Sequence, residues 1–107
     1  MGASHSKRVR IIARRTLREF WEKPGHKDSE QPLRAWFAEA AKAEWATPAD
    51  IKEQHRNASI VGNPRLVFNI GGDKYRVVVA FRYGARIAFI RFVGTHAAYD
   101  RIDVETV

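Results

Sequence analysis

The chain has 107 residues, with 19 Lys and Arg against 12 Asp and Glu, a formal net charge of +7 and no cysteine. That length supports one domain around one core, and the missing cysteine excludes disulfides and Cys-ligated zinc. A chain this basic expects a polyanion or an acidic partner.

Residues 1–8 read as a leader or an expression scar, and residues 9–107 as a single domain. No apolar run reaches membrane-spanning length and no signal-peptide core follows the start, so a cytoplasmic protein without a membrane partner is expected. Lys7 to Arg14 alternates basic and apolar residues, which predicts a short strand at a sheet edge. Thr16 and Glu19 then form a capping-box pattern ahead of Leu17, Phe20 and Trp21 at helical spacing, with Pro24-Gly25 as the stop. Asp28 or Ser29 can cap a second helix, whose apolar stripe runs through Leu33, Trp36, Phe37, Ala40 and Ala41 to Trp45. Both tryptophans are expected in the core or a partner interface. Thr47-Pro48-Ala49-Asp50 starts a third, short helix ending near His55 to Asn57. Ala58 to Val61 predicts a strand or extended arm, and Asn63-Pro64 turns the chain.

Three further strands follow, separated by Gly71-Gly72 and Tyr83-Gly84-Ala85. Their alternation gives each strand two faces. Leu66, Phe68 and Ile70, then Tyr75, Val77, Val79 and Phe81, then Ala88, Ile90 and Phe92 form the expected core face. The opposite face carries Arg65, Asn69, Arg76, Arg82 and Arg91 among apolar residues. The fold class is α+β, with two to three helices packed on a mostly antiparallel sheet.

A guanidinium in the middle of a sheet is costly to bury unless it meets an anion. The basic face therefore reads as a phosphate-binding face, against the plainer reading of a solvated surface. Gly71-Gly72 has neither the Lys and Ser/Thr nor the following helix of a phosphate loop. His5, His26, His55 and His96 show no metal spacing. No metal or cofactor is expected. His96 stands apart because it follows the last strand, with Tyr99 and Asp100 close behind. RNA transesterification needs a base for the 2′-OH, cations for the phosphorane-like transition state and an acid for the leaving 5′-oxygen. His, Tyr and Arg supply all three without metal. A non-catalytic basic RNA- or ribosome-binding module is the competing reading; it needs the arginines and aromatics but not His96.

The run from Val67 to Val78 (VFNIGGDKYRVV), then Ile90 to His96 (IRFVGTH), then Tyr99-Asp100 resembles the HigB family of type II toxins, within the RelE-like superfamily. The likeness extends from Val9 to Val107. The resemblance implies a RelE-like fold with the active site on or beside the face opposite the helices. It implies an mRNA endoribonuclease that typically acts on ribosome-bound message at the 30S A site and inhibits translation. It also implies a HigA-like helix-turn-helix antitoxin as partner. By position, Arg76 matches the arginine that stabilises the transition-state phosphate, and His96 and Tyr99 match a basic residue followed by a tyrosine after the last strand. Arg91 is expected to clamp the scissile phosphate together with Arg76, with Arg65 assisting. His96 is the expected base or acid, with Tyr99 second or stacking on a base. Arg65, Asn69, Lys74, Arg82, Arg14, Arg15 and Arg18 are expected to meet RNA. Where relatives carry lysines on the preceding strand, this sequence has Arg65 and Asn69.

Overall fold

The computed structural model describes residues 7–62 and 64–107. Residues 1–6 of the expected leader 1–8, with His5, and Asn63 of the expected Asn63-Pro64 turn lie outside the described residues. In chain order the elements are β1 (Arg10–Ile12), α1 (Arg14–Trp21), a 3-10 turn (Lys27–Ser29), α2 (Glu30–Lys42), α3 (Pro48–Gln54), β2 (Ser59–Val61), β3 (Arg65–Ile70), β4 (Tyr75–Arg82), β5 (Ile87–Thr95) and α4 (His96–Tyr99). The architecture is α+β. Five strands lie in the order β1-β5-β4-β3-β2, with β1 parallel to β5 and every other pair antiparallel. β1 sits at an edge, as its alternating charges suggest.

Helices cover one face of the sheet. Leu17, Phe20 and Trp21 from α1, Leu33, Trp36 and Ala40 from α2, and Ile51 from α3 share a buried cluster with Leu66, Phe68, Ile70, Tyr75, Val77, Val79, Phe81, Ala88 and Ile90 of the sheet. Trp36 and Trp45 belong to the same core and lie against Phe68 at ring separations of 5.2 and 6.1 Å. α3 starts as its sequence predicts: the Thr47 hydroxyl accepts from Asp50 N–H, and the Asp50 carboxylate accepts from the N–H groups of Ala46 and Thr47.

Some boundaries differ from the sequence pattern. α1 begins at Arg14, so Thr16 lies inside its first turn, its N–H donating to the Ala13 carbonyl, and Glu19 pairs with Arg15 at 2.8 Å instead of closing a capping box. Ser29 holds the N-cap position of α2, but its hydroxyl donates to the His26 carbonyl. α2 stops at Lys42; an extended Ala43 follows, and Trp45 reaches the core from beyond the helix.

The largest departure is in β5. A register shift between Val78 and Val79 leaves Arg91 as an extra residue, a β-bulge: Val79 faces Ile90 while Val78 faces Phe92. Side chains alternate strictly along a strand, so one inserted residue exchanges the two faces beyond it. Phe92 therefore joins the open face and Val93 packs against the core, the reverse of simple alternation.

Asp28 links the helical layer to the sheet. Its carboxylate accepts from the hydroxyl of Tyr75, a ring that is 1 % exposed, and from the Lys74 ammonium. Lys74 first, and then the Tyr75 hydroxyl, hold the Asp28 carboxyl below the usual carboxylate range, while burial pushes the Tyr75 phenol up. An unfolded aspartate titrates at about 3.9. The stability contributed by Asp28 is thus complete above that pH and is lost as the pH falls through its lower folded value. Asp28→Asn should flatten this acid limb: thermal melts at pH 7 and pH 3 should differ less for the variant than for the parent chain, and an unchanged difference would count against the linkage.

Candidate active site

The open face of the sheet is organised in rows set by the ladder. One row is Asn69, Arg76 and Gly94; the next is Val67, Val78 and Phe92; the third is Arg65, Ala80 and Phe89; and Arg82 with Ile87 comes last. Val67 and Val78 are buried, so an apolar row separates two basic ones.

The first row ends at α4. Thr95 closes β5 and caps α4 by accepting from Ala98 N–H at 3.1 Å. The His96 N–H donates to the Lys74 carbonyl at 3.0 Å, which ties the helix to the β3–β4 hairpin. His96 and Tyr99 are three residues apart and so share a helix face. Arg76, only 7 % exposed, turns its guanidinium toward the Tyr99 ring, 5.9 Å from the centroid. The guanidinium is fixed by Asp73: Nη2 donates to Oδ1 at 2.9 Å, and Nη1 donates to the Asp73 and Tyr75 carbonyls at 2.9 and 3.2 Å. The other Asp73 oxygen lies 3.9 Å from His96 Nδ1, and Asp100 Oδ2 lies 3.6 Å from His96 Nε2. The imidazole, about half exposed, thus stands between two carboxylates beside an anchored guanidinium.

Arg76, His96, Tyr99 and Asn69 are therefore brought together, by side-chain contact or as ladder neighbours. Asp73 is the residue that sequence reasoning missed. It sits in the Gly71-Gly72-Asp73-Lys74 turn, where both glycines adopt positive φ (64° and 73°), and its position three before Arg76 was the available signal. Arg91 is placed elsewhere. It lines a hollow of about 350 Å³ with Arg65, Arg82 and Phe89, across the apolar row from Arg76. Lys74 is engaged by Asp28, which holds the ammonium pKa up. Arg14, Arg15 and Arg18 lie on α1, in the layer behind the sheet; Arg14 stacks over Phe37 at 5.3 Å and Arg15 pairs with Glu19. They cannot meet the phosphate that Arg76 would hold.

The family model described as HigB_toxin, a RelE-like toxic component of a toxin-antitoxin system, matches residues 29–102, more than half of the chain. The chain belongs to the HigB toxin family. It is the toxin of a toxin-antitoxin pair, and that membership implies an antitoxin partner. No match was found among curated proteins. The matched span contains the whole cluster of Asn69, Asp73, Arg76, His96 and Tyr99. Among the described residues of this toxin, no helix is long and apolar enough to cross a membrane, and no group of His, Asp and Glu is arranged to hold a metal ion.

Gly94 tests how tightly the site is built. A Cβ added there would lie 2.5 Å from Cζ of Phe92, whose ring folds over the glycine next to Arg76 in the ladder. Gly94→Ala should destabilise the toxin by about 1–3 kcal/mol through overpacking, seen as a lower urea midpoint with an unchanged slope. A midpoint equal to that of the parent would mean that the ring has somewhere else to go.

Proposed function

We propose that this toxin is an endoribonuclease that cleaves mRNA by 2′-OH transesterification, in the cytoplasm and on the ribosome, and so arrests translation and growth. The observation that supports this best is the convergence of an anchored arginine, an accessible imidazole and a tyrosine at one end of the open face. In this reading His96 serves as general base or acid. As base, it takes the 2′-OH proton; the 2′-oxygen bonds to phosphorus, the bond from phosphorus to the 5′-oxygen breaks, and that oxygen takes a proton from water, giving a 2′,3′-cyclic phosphate and a 5′-hydroxyl. Arg76 stabilises the charge that develops on the phosphorane. Its Nε–H and the second Nη2–H are not spent on Asp73 and are available to phosphate oxygens. Asp73 and Asp100 orient the imidazole, Tyr99 stacks on or orients a base, and Asn69 lies beside Arg76 to contact the strand. Arg14, Arg15 and Arg18 face away from the site and suit ribosomal RNA phosphates. The partner that neutralises the toxin would be a HigA-like helix-turn-helix antitoxin.

A second reading, a non-catalytic RNA- or ribosome-binding module, has one observation in its favour: Arg76 already spends much of its donor capacity on Asp73. Message mapping separates the two. Arg76→Ala and His96→Ala should each lower cleavage about 10²-fold or more and abolish growth arrest, with circular dichroism unchanged. Wild-type induction that stops translation while leaving message intact would favour the binding module. Cleavage at the parent rate in both variants would remove these residues from the mechanism.

A further inference from the structure

The third row of the open face is not used by the chemistry above. Arg65 and Phe89 flank Ala80 in the ladder, and Arg82 follows two residues along β4. The small Ala80 side chain leaves the 350 Å³ hollow between them, closed by Pro64 and by the bulged Arg91. Arg65, Arg82 and Arg91 thus line one hollow with the aromatic ring of Phe89. Arg76, Arg15 and Arg34 are each paired with a carboxylate, of Asp73, Glu19 and Glu30 respectively. Among the described residues, Arg65, Arg82 and Arg91 have no carboxylate partner. Arg65 donates Nε–H to the Glu105 carbonyl at 2.9 Å, while its Nη1 is buried without a hydrogen-bond partner. Uncompensated, closely placed cations favour an anion with several oxygens, and guanidinium forks match phosphate.

We propose that this hollow is a second nucleotide subsite, in which Arg65, Arg82 and Arg91 hold a phosphate of single-stranded RNA and Phe89 stacks on its base. The proposal rests on the RNA-cleaving reading and extends it, because the hollow shares a sheet face with Arg76. From Arg76 to Ala80 is four residues of β4, about 13 Å at the rise of a strand. At about 3.4 Å per stacked nucleotide, the second phosphate lies about four nucleotides from the scissile one, and fewer if the strand is extended. Val67 and Val78, buried between the two basic rows, make no contact with the intervening nucleotides. The subsite holds the message in register without touching the reacting atoms.

The test uses the full chain and a fluorescent 2′-O-methyl oligoribonucleotide, which cannot be cleaved, in which one linkage at a time is made neutral as a methylphosphonate. Affinity is read by anisotropy for the parent, Arg76→Ala and the exposed-residue variant Arg82→Ala/Arg91→Ala. Two distinct linkages, two to four apart, should each weaken parent binding about tenfold. One should lose its effect only in Arg76→Ala, and the other only in the double variant. If the double variant weakens binding equally whichever linkage is neutral, or not at all, the subsite is refuted and the cleavage site stands. If the parent binds no oligoribonucleotide, the RNA reading falls and the subsite with it.

Discussion

The hydroxyl of Tyr75 is the constraint on which the rest of the molecule depends. A buried phenol needs a partner for its O–H, and here the partner is Asp28, at the entrance to α2. That bond fixes the first residue of the central strand against the helical layer. The pleat then decides the orientation of the next residue: with Tyr75 turned into the core, Arg76 must emerge on the opposite face. The position of the guanidinium in the candidate site is thus set by a hydrogen bond on the far side of the sheet. Asp73 completes the arrangement from the turn, holding Arg76 where its own Cβ direction already aims it.

Much of this was legible in the residues. The alternation in Leu66–Ile70 and Tyr75–Arg82 reports directly which side chains meet the helices, because a half-buried strand cannot place polar groups at random. The Thr47-Pro48-Ala49-Asp50 start is also local chemistry, since donor and acceptor sit within one turn. The resemblance then supplied the family, which the matched span bears out. The bulge at Arg91 was not legible. The run Ile87 to Val93 is apolar on both sides of the arginine, so alternation continues to read sensibly after the faces have exchanged, and only the pairing with β4 shows the extra residue. The Thr16–Glu19 pattern misled for a related reason: Arg15 stands four before Glu19 and competes for it.

The candidate site was legible as a list of residue types but not as a geometry. Arg76, His96 and Tyr99 are near one another because the end of β5 returns beside the start of β4, a non-local pairing that no window of sequence contains. Arg91 looked like a companion of Arg76, since both were assigned to the basic face by parity. The ladder instead puts a buried valine row between Arg76 and the hollow that Arg91 lines with Arg65 and Arg82. Asp73 escaped notice because a Gly-Gly turn accounts for its neighbourhood without any functional role.

Lys74 carries a consequence for motion. Its ammonium meets Asp28, its carbonyl receives the His96 N–H, and its chain neighbours are Asp73 and Tyr75. One residue therefore joins the helical layer, the hairpin and the turn of helix bearing the imidazole. Segments linked in this way open together and not one by one. Amide protons at the tip of the hairpin, at the 3-10 turn and in α4 would exchange as one cooperative unit, so the candidate site loosens only when the anchor beneath it lets go.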